Sequence, residues 1–196
     1  MKPSYLLLLT LGLAACASSP SGPLSLPLQE RLRNPLVAER YWSDMAEHMA
    51  DFTRNNDPIM KDPVKAAVIE DERLRALERV DYARSLKKEG ISGIFQAIYP
   101  SENAMGEALL RGTTLSFSST FEILPGPAIR VYLTTAGDPR DVRFPDASAL
   151  DLGLLQNAFG SQEYAIAQDK LNPSFLIVVL YDKNLNRVVA FAQLEK

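Results

Sequence analysis

Few side chains in this sequence could carry chemistry. A single cysteine, Cys16, follows Leu13-Ala14-Ala15, and a single histidine, His48, stands four residues after Asp44 and five after Ser43. A thiol can be acylated, oxidised or metallated, but a lone one forms neither an internal disulfide nor a thiolate metal cluster. An imidazole one helical turn from a carboxylate can act with it as an acid and base pair. Ser43 would complete a triad, yet on a shared helix it points elsewhere and the geometry fails. His48 is therefore expected to be a packed histidine with one satisfied nitrogen. Asp138, Asp141, Asp146 and Asp151 offer oxygen ligands to a hard cation. Their spacing follows no EF-hand pattern, and Arg140 and Arg143 stand among them, so a solvated loop is expected. The sequence contains no phosphate-cradling Gly-x-x-x-x-Gly-Lys, no Gly-x-Ser-x-Gly and no His-Glu-x-x-His, which argues against several large enzyme classes.

The surroundings of Cys16 are more informative. Lys2 precedes an apolar run from Tyr5 to Leu13, followed by the small pair Ala14-Ala15. That is the layout of a secretory signal, and the run is shorter than the ~20 residues a membrane-spanning helix needs. Leu13-Ala14-Ala15-Cys16 resembles the lipobox of bacterial lipoproteins. The resemblance implies that the Cys16 thiol receives a diacylglyceryl group before cleavage, and that the new amino terminus is acylated afterwards. Several chains matter, because each buried methylene contributes about 0.8 kcal/mol and one short chain binds only marginally. Ala17 and Ser18 follow, and the absence of Asp there implies, for a cell with two membranes, sorting to the outer one.

Composition bounds the rest. Beyond Cys16 roughly 180 of the 196 residues remain, enough for one sizeable domain or a small domain with an extension. Hydrophobic residues make up 46% and charged residues 23%, ordinary for a globular chain. A net charge of -3 offers no basic face for phosphates, so no nucleic-acid partner is expected.

The elements that must position these groups begin after a tether. Residues 17 to 27 contain Ser-Ser-Pro-Ser-Gly-Pro and Leu-Ser-Leu-Pro, which build no regular element. Asn34-Pro35, Asp57-Pro58 and Asp62-Pro63 each join a capping side chain to a proline suited to the first helical position, so each predicts a helix start. The first main helix is predicted from Pro35 to Thr53, with Val37, Tyr41, Met45, His48, Met49 and Phe52 on its apolar face. Trp42 lies just off that stripe and is expected in the core, with an anchor to a partner as the alternative. The second runs from Pro63 to about Lys88, with Gly90 as a C-cap. Its apolar residues Leu74, Leu77, Val80, Ala83 and Leu86 step by three, so the stripe drifts round the cylinder.

After Gly90 the pattern changes to short β-prone segments. Strands are predicted at Ile91 to Tyr99, Ala104 to Arg111, Thr113 to Phe117, Ala128 to Thr134, Glu163 to Ala167, Phe175 to Tyr181 and Arg187 to Leu194. Phe175 to Tyr181 is too continuous to have a wet face and should be central and covered on both sides. Asp138 to Asp151 is the expected long loop. The fold class predicted is α+β: an N-terminal helical segment over residues 28 to 90, then an antiparallel β-sandwich or barrel-like domain over 91 to 196.

Several segments in this second part carry a further resemblance. Gly93-Ile-Phe95, Gly106-Glu-Ala-Leu109, Leu115-Ser-Phe117, Gly126-Pro-Ala-Ile-Arg-Val-Tyr-Leu133, Leu152-Gly-Leu-Leu155, Gly160-Ser-Gln-Glu-Tyr164 and Val178-Val-Leu-Tyr-Asp182 occur in the order seen in the DM-thirteen domain family, also labelled an electron-transfer domain. The match spans Gly90 to Leu194 and leaves the helices unexplained. The resemblance implies a redox cysteine at the end of the long apolar strand, where this sequence has Asp182. A carboxylate cannot cycle between thiol and disulfide, so thiol redox chemistry is not expected here. What is expected is a lipid-anchored envelope protein whose partner is the membrane and an envelope protein or small ligand, with no catalytic residue, cofactor or metal. An accessory role in envelope electron transfer, through an unidentified cofactor or partner, is the alternative that the resemblance implies.

Overall fold

The computed structural model describes residues 27–196, so Cys16 and the rest of the signal layout lie outside the described residues. Three helices come first: α1 (Leu28–Arg31), α2 (Pro35–Arg54) and α3 (Pro63–Lys88), with a 3-10 turn at Pro58–Lys61 between the last two. All three Asn/Asp-Pro pairs act as anticipated. Asn34 Oδ1 accepts from Leu36 N–H at 3.0 Å, Asp57 Oδ1 from Ile59 N–H at 2.9 Å, and Asp62 Oδ1 from Val64 N–H at 3.0 Å. Each carboxylate or amide oxygen satisfies a first-turn donor that would otherwise lack a partner. Asn34 does a second thing, because its buried Nδ2 donates to the Phe117 carbonyl at 2.9 Å and so ties the start of α2 to the sheet.

α2 and α3 form an antiparallel hairpin whose seam differs from the expected one. α3 buries Ile69, Ala76, Val80 and Ala83, a seven-residue repeat facing α2, while Leu74 and Leu77 remain 48% and 40% exposed. Stepping by three predicts a drifting stripe; packing instead selects residues spaced by seven, four and three, which stay on one face of a helix lying against another. In α2 burial concentrates in Leu36, Val37 and Ala38 near the sheet, with Ala46 further along, and Tyr41 stays exposed. Gly90 also has another reason to be glycine. Glu89 is the C-cap, in right-handed conformation, and a Cβ on Gly90 would stand 2.5 Å from the Leu110 carbonyl oxygen.

Eight strands follow: β1 (Ile91–Ala97), β2 (Glu107–Arg111), β3 (Thr114–Phe117), β4 (Ile129–Thr134), β5 (Leu150–Leu154), β6 (Glu163–Ala165), β7 (Ile177–Asp182) and β8 (Arg187–Gln193). They form one antiparallel sheet in the order β5-β4-β7-β8-β1-β2-β3-β6. Of the two forms anticipated, sandwich or barrel, the sheet takes the nearly closed, barrel-like one. The corner is β1, which pairs with β2 over Ile91 to Ile94 and with β8 over Phe95 to Ala97. Gly93 lies at this crossover, and a Cβ there would meet the Gln193 carbonyl oxygen at 1.9 Å, so only glycine lets β8 pass. β5 was not anticipated, since Asp151 and Gly153 interrupt its apolar pattern.

Side chains fill the inside of the barrel, as small barrels require. Phe95, Phe117, Phe121 and Tyr164 pack with ring centroids 4.8 to 5.6 Å apart, joined by Val131, Leu133, Val178 and Leu180. β7 is covered on both faces as expected, and the long loop is the cover. Ile177, Val179 and Tyr181 point outward, where Phe144 of the loop packs on Tyr132 and Tyr181 at 5.3 and 5.4 Å.

Candidate functional site

Asp182, at the position where the DM-thirteen resemblance implies a redox cysteine, is fully buried. Oδ1 accepts from Asn184 N–H and Leu185 N–H, both at 3.0 Å, while Oδ2 lies 3.5 Å from Ala128 N. The carboxylate thus caps the tight turn between β7 and β8 and holds the start of β4 against it. Gly126 makes room for it: a Cβ there would come within 2.5 Å of Asp182 Oδ2. The group is structural, with its oxygens taken by backbone donors.

His48 is exposed and not packed as expected, since the α2 seam runs through Ala46 and leaves position 48 on the outer side. Its ring meets Phe52 edge-on at 5.0 Å. Asp44 is held by Arg40 at 3.6 Å instead of by His48. No acid and base pair is assembled there. Trp42 is half-buried beneath the Arg79 guanidinium, 4.2 Å from its ring centroid, so it links α2 to α3 by a cation–π contact.

The four loop aspartates separate. Asp138 pairs with Arg140, which holds its carboxyl below the usual range, and Asp141 is exposed. Asp146 Oδ2 accepts from the Thr134 hydroxyl at 2.6 Å, and its Oδ1 from Ser148 N–H at 2.7 Å. Burial pushes the Asp146 carboxyl up, but these bonds outweigh it and its pKa lies below the ordinary carboxylate value. Asp151 behaves alike: burial raises it, and the Arg130 guanidinium, 2.8 Å away, brings it down. Among the described residues no three His, Cys, Asp or Glu side chains are grouped to hold a metal. The solvated-loop expectation holds for Asp141; Asp146 instead fastens the loop to β4.

One constellation was not anticipated. Gln162, 4% exposed, clasps the connection between the edge strands β5 and β6. Its Oε1 accepts from Gln156 N–H, Asn157 N–H and the Tyr164 hydroxyl at 3.1, 3.2 and 2.8 Å, and its Nε2 donates to the Asn157 carbonyl at 2.9 Å. Burial pushes the Tyr164 hydroxyl up to about 12. The signal was present in Gly160-Ser-Gln-Glu-Tyr164, and the backbone it clasps lies only five and six residues before Gln162, but that approach depends on the turn the folded connection makes. A second pair, Glu102 with Arg187, joins the segment after β1 to the start of β8.

A cleft of about 430 Å³ lies where the hairpin meets the barrel, bordered by Glu39, Arg84, Lys87 and Ser92. Two of its cations are already paired: Arg84 reaches Glu39 at 2.9 Å, and Lys87 reaches Glu107 at 2.8 Å. No family model, curated protein or solved structure matches this chain.

Proposed function

We propose that this chain is a bacterial envelope lipoprotein, anchored through Cys16, in which the barrel and helices form a binding or structural module with no reaction of its own. The observation that carries the proposal is Leu13-Ala14-Ala15-Cys16 behind a short apolar run. Residues 17 to 27, if extended, reach about 36 Å from the lipid, enough to hold the fold clear of a bilayer surface. Phe95, Phe117 and Phe121 occupy the barrel interior, which supports a role for outer surfaces in place of a lumen. Ala17 favours the outer membrane in a cell with two. Likeness to the DM-thirteen family supports the choice of a surface module; electron transfer would need a group other than Asp182, whose oxygens the backbone occupies.

Membrane fractionation and mass spectrometry of the mature amino terminus test this directly. The wild type is expected in the membrane with acyl chains on Cys16, and Cys16→Ser is expected as an unprocessed or soluble form. Recovery of correctly cleaved Cys16→Ser in the membrane at the wild-type level sinks the proposal.

A further inference from the structure

Helix α3 carries two seven-residue repeats. Ile69, Arg73, Ala76, Val80, Ala83 and Lys87 make the first, which faces α2 and contains every buried residue of the helix. Val64, Val68, Asp71, Arg75, Glu78 and Tyr82 make the second, roughly 140° further round the cylinder. It steps by four and three throughout, the spacing that keeps one seam along a neighbouring helix. Val64, Val68 and Tyr82 are 72%, 56% and 66% exposed, and Leu74 and Leu77, which belong to neither repeat, are 48% and 40% exposed.

The second stripe is self-complementary at its charged centre and at its apolar ends. It is apolar at both ends, with acid and base between. Set antiparallel against itself about position 73, the stripe places Val64 opposite Tyr82, Val68 opposite Glu78, and Asp71 opposite Arg75, and a two-fold axis repeats each contact. A parallel, in-register arrangement would instead set Asp71, Arg75 and Glu78 each against its own like charge. Asp71 and Arg75 now pair within the helix at 2.7 Å with more than half of each side chain exposed, so they exchange partners at little cost. Pro63, Val64, Ala67 and Val68, with Asp71 at one side, form a shallow and largely apolar surface, and the antiparallel register delivers the second copy's Tyr82 to it.

We propose that α3 is a self-association surface, through which two copies of this chain pair antiparallel along Val64, Val68, Asp71, Arg75, Glu78 and Tyr82. The pairing does not depend on lipid at Cys16. Tyr82, an aromatic knob on that largely apolar surface, supplies the main anchor. Asp71 and Arg75 select the register.

Analytical ultracentrifugation of the full chain in mild detergent, over a range of protein concentrations, reads the association. The wild type is expected to dimerise, and Tyr82→Ala to raise the dissociation constant about tenfold, equivalent to about 1.4 kcal/mol. Asp71→Arg is expected to weaken the dimer similarly, and Asp71→Arg combined with Arg75→Asp to restore it. Positions 64 and 82 are about 27 Å apart along the helix, so a disulfide in Val64→Cys/Tyr82→Cys is intermolecular. Oxidation should give a covalent dimer absent from either single variant. Circular dichroism checks that each variant is folded. A wild type that sediments as a monomer at every concentration overturns the proposal, and so does a dimer indifferent to both Tyr82→Ala and Asp71→Arg.

Discussion

The barrel and the helical hairpin hold themselves together in opposite ways. The barrel encloses five aromatic rings and a set of branched aliphatics with almost no solvent contact, and ion pairs such as Glu102 with Arg187 and Arg130 with Asp151 join parts of it that are distant in sequence. The hairpin has a thin seam in which Ala46, Ala76 and Ala83 take the place of larger side chains. Most of its ion pairs, such as Asp51 with Arg54 and Glu72 with Arg75, are local and exposed, and Arg84 with Glu39 crosses from α3 to α2. Exposed pairs of this kind contribute about 0 to 1 kcal/mol each, whereas a buried aromatic ring contributes several times more. The same chain therefore keeps a densely packed body and a lightly packed arm, and exposed apolar side chains remain on both: Val64, Val68 and Tyr82 on the arm, Ile94, Leu154 and Phe159 on the barrel.

Substitutions at four positions probe that contrast. Phe117→Ala opens a cavity among Phe95, Phe121 and Tyr164 and is expected to cost about 3–5 kcal/mol, read as a large drop in the urea midpoint; a shift as small as a surface change would mean that the barrel core carries less than its packing implies. Asp182→Ala leaves the amides of Asn184 and Leu185 without their acceptor, a loss of about 1–3 kcal/mol by the same measurement. Asp182→Cys should fall in the same range, because a thiol is a weak acceptor; full stability of that variant would count against the capping role.

Tyr164→Phe removes the hydroxyl that Gln162 and Gln156 share and is expected to cost about 1 kcal/mol. The pH dependence has a definite sign. A tyrosine ordinarily ionises near 10, and in the fold Tyr164 is pushed up to about 12. Its neutral form is thus favoured by folding, a contribution fully present below pH ~10 and lost as pH rises toward about 12. Tyrosinate absorbance followed with stability should show this, and its persistence in Tyr164→Phe would assign the effect elsewhere. Smallest of all, Tyr82→Ala on the exposed side of α3 should change monomer stability by less than about 0.5 kcal/mol. A large loss there would place Tyr82 in the fold and not on a free surface.

How far the sequence alone reaches can be seen residue by residue. The caps at Asn34, Asp57 and Asp62 were legible because donor and acceptor lie within three residues of each other, so the chemistry is complete in the local chain. The unbroken run ending at Tyr181 likewise announced a strand covered twice, since no polar residue in it could face water. β5 escaped notice because its pattern is broken by Asp151, which pairs with Arg130, and by Gly153 at positive φ. Both features make sense only beside β4.

By itself, then, the sequence determined where helices start, which strand is innermost, and the short segment that ends at Cys16, for these depend on neighbours in the chain or on a motif read in extended form. Tertiary structure decided which face of α3 is buried, why Gly90 and Gly93 are glycines, and that Asp182, whose turn bonds are local, is fully buried and holds the start of β4. Those outcomes depend on backbone brought from far along the chain, and no local pattern specifies which carbonyl will stand 2.5 Å from an absent Cβ.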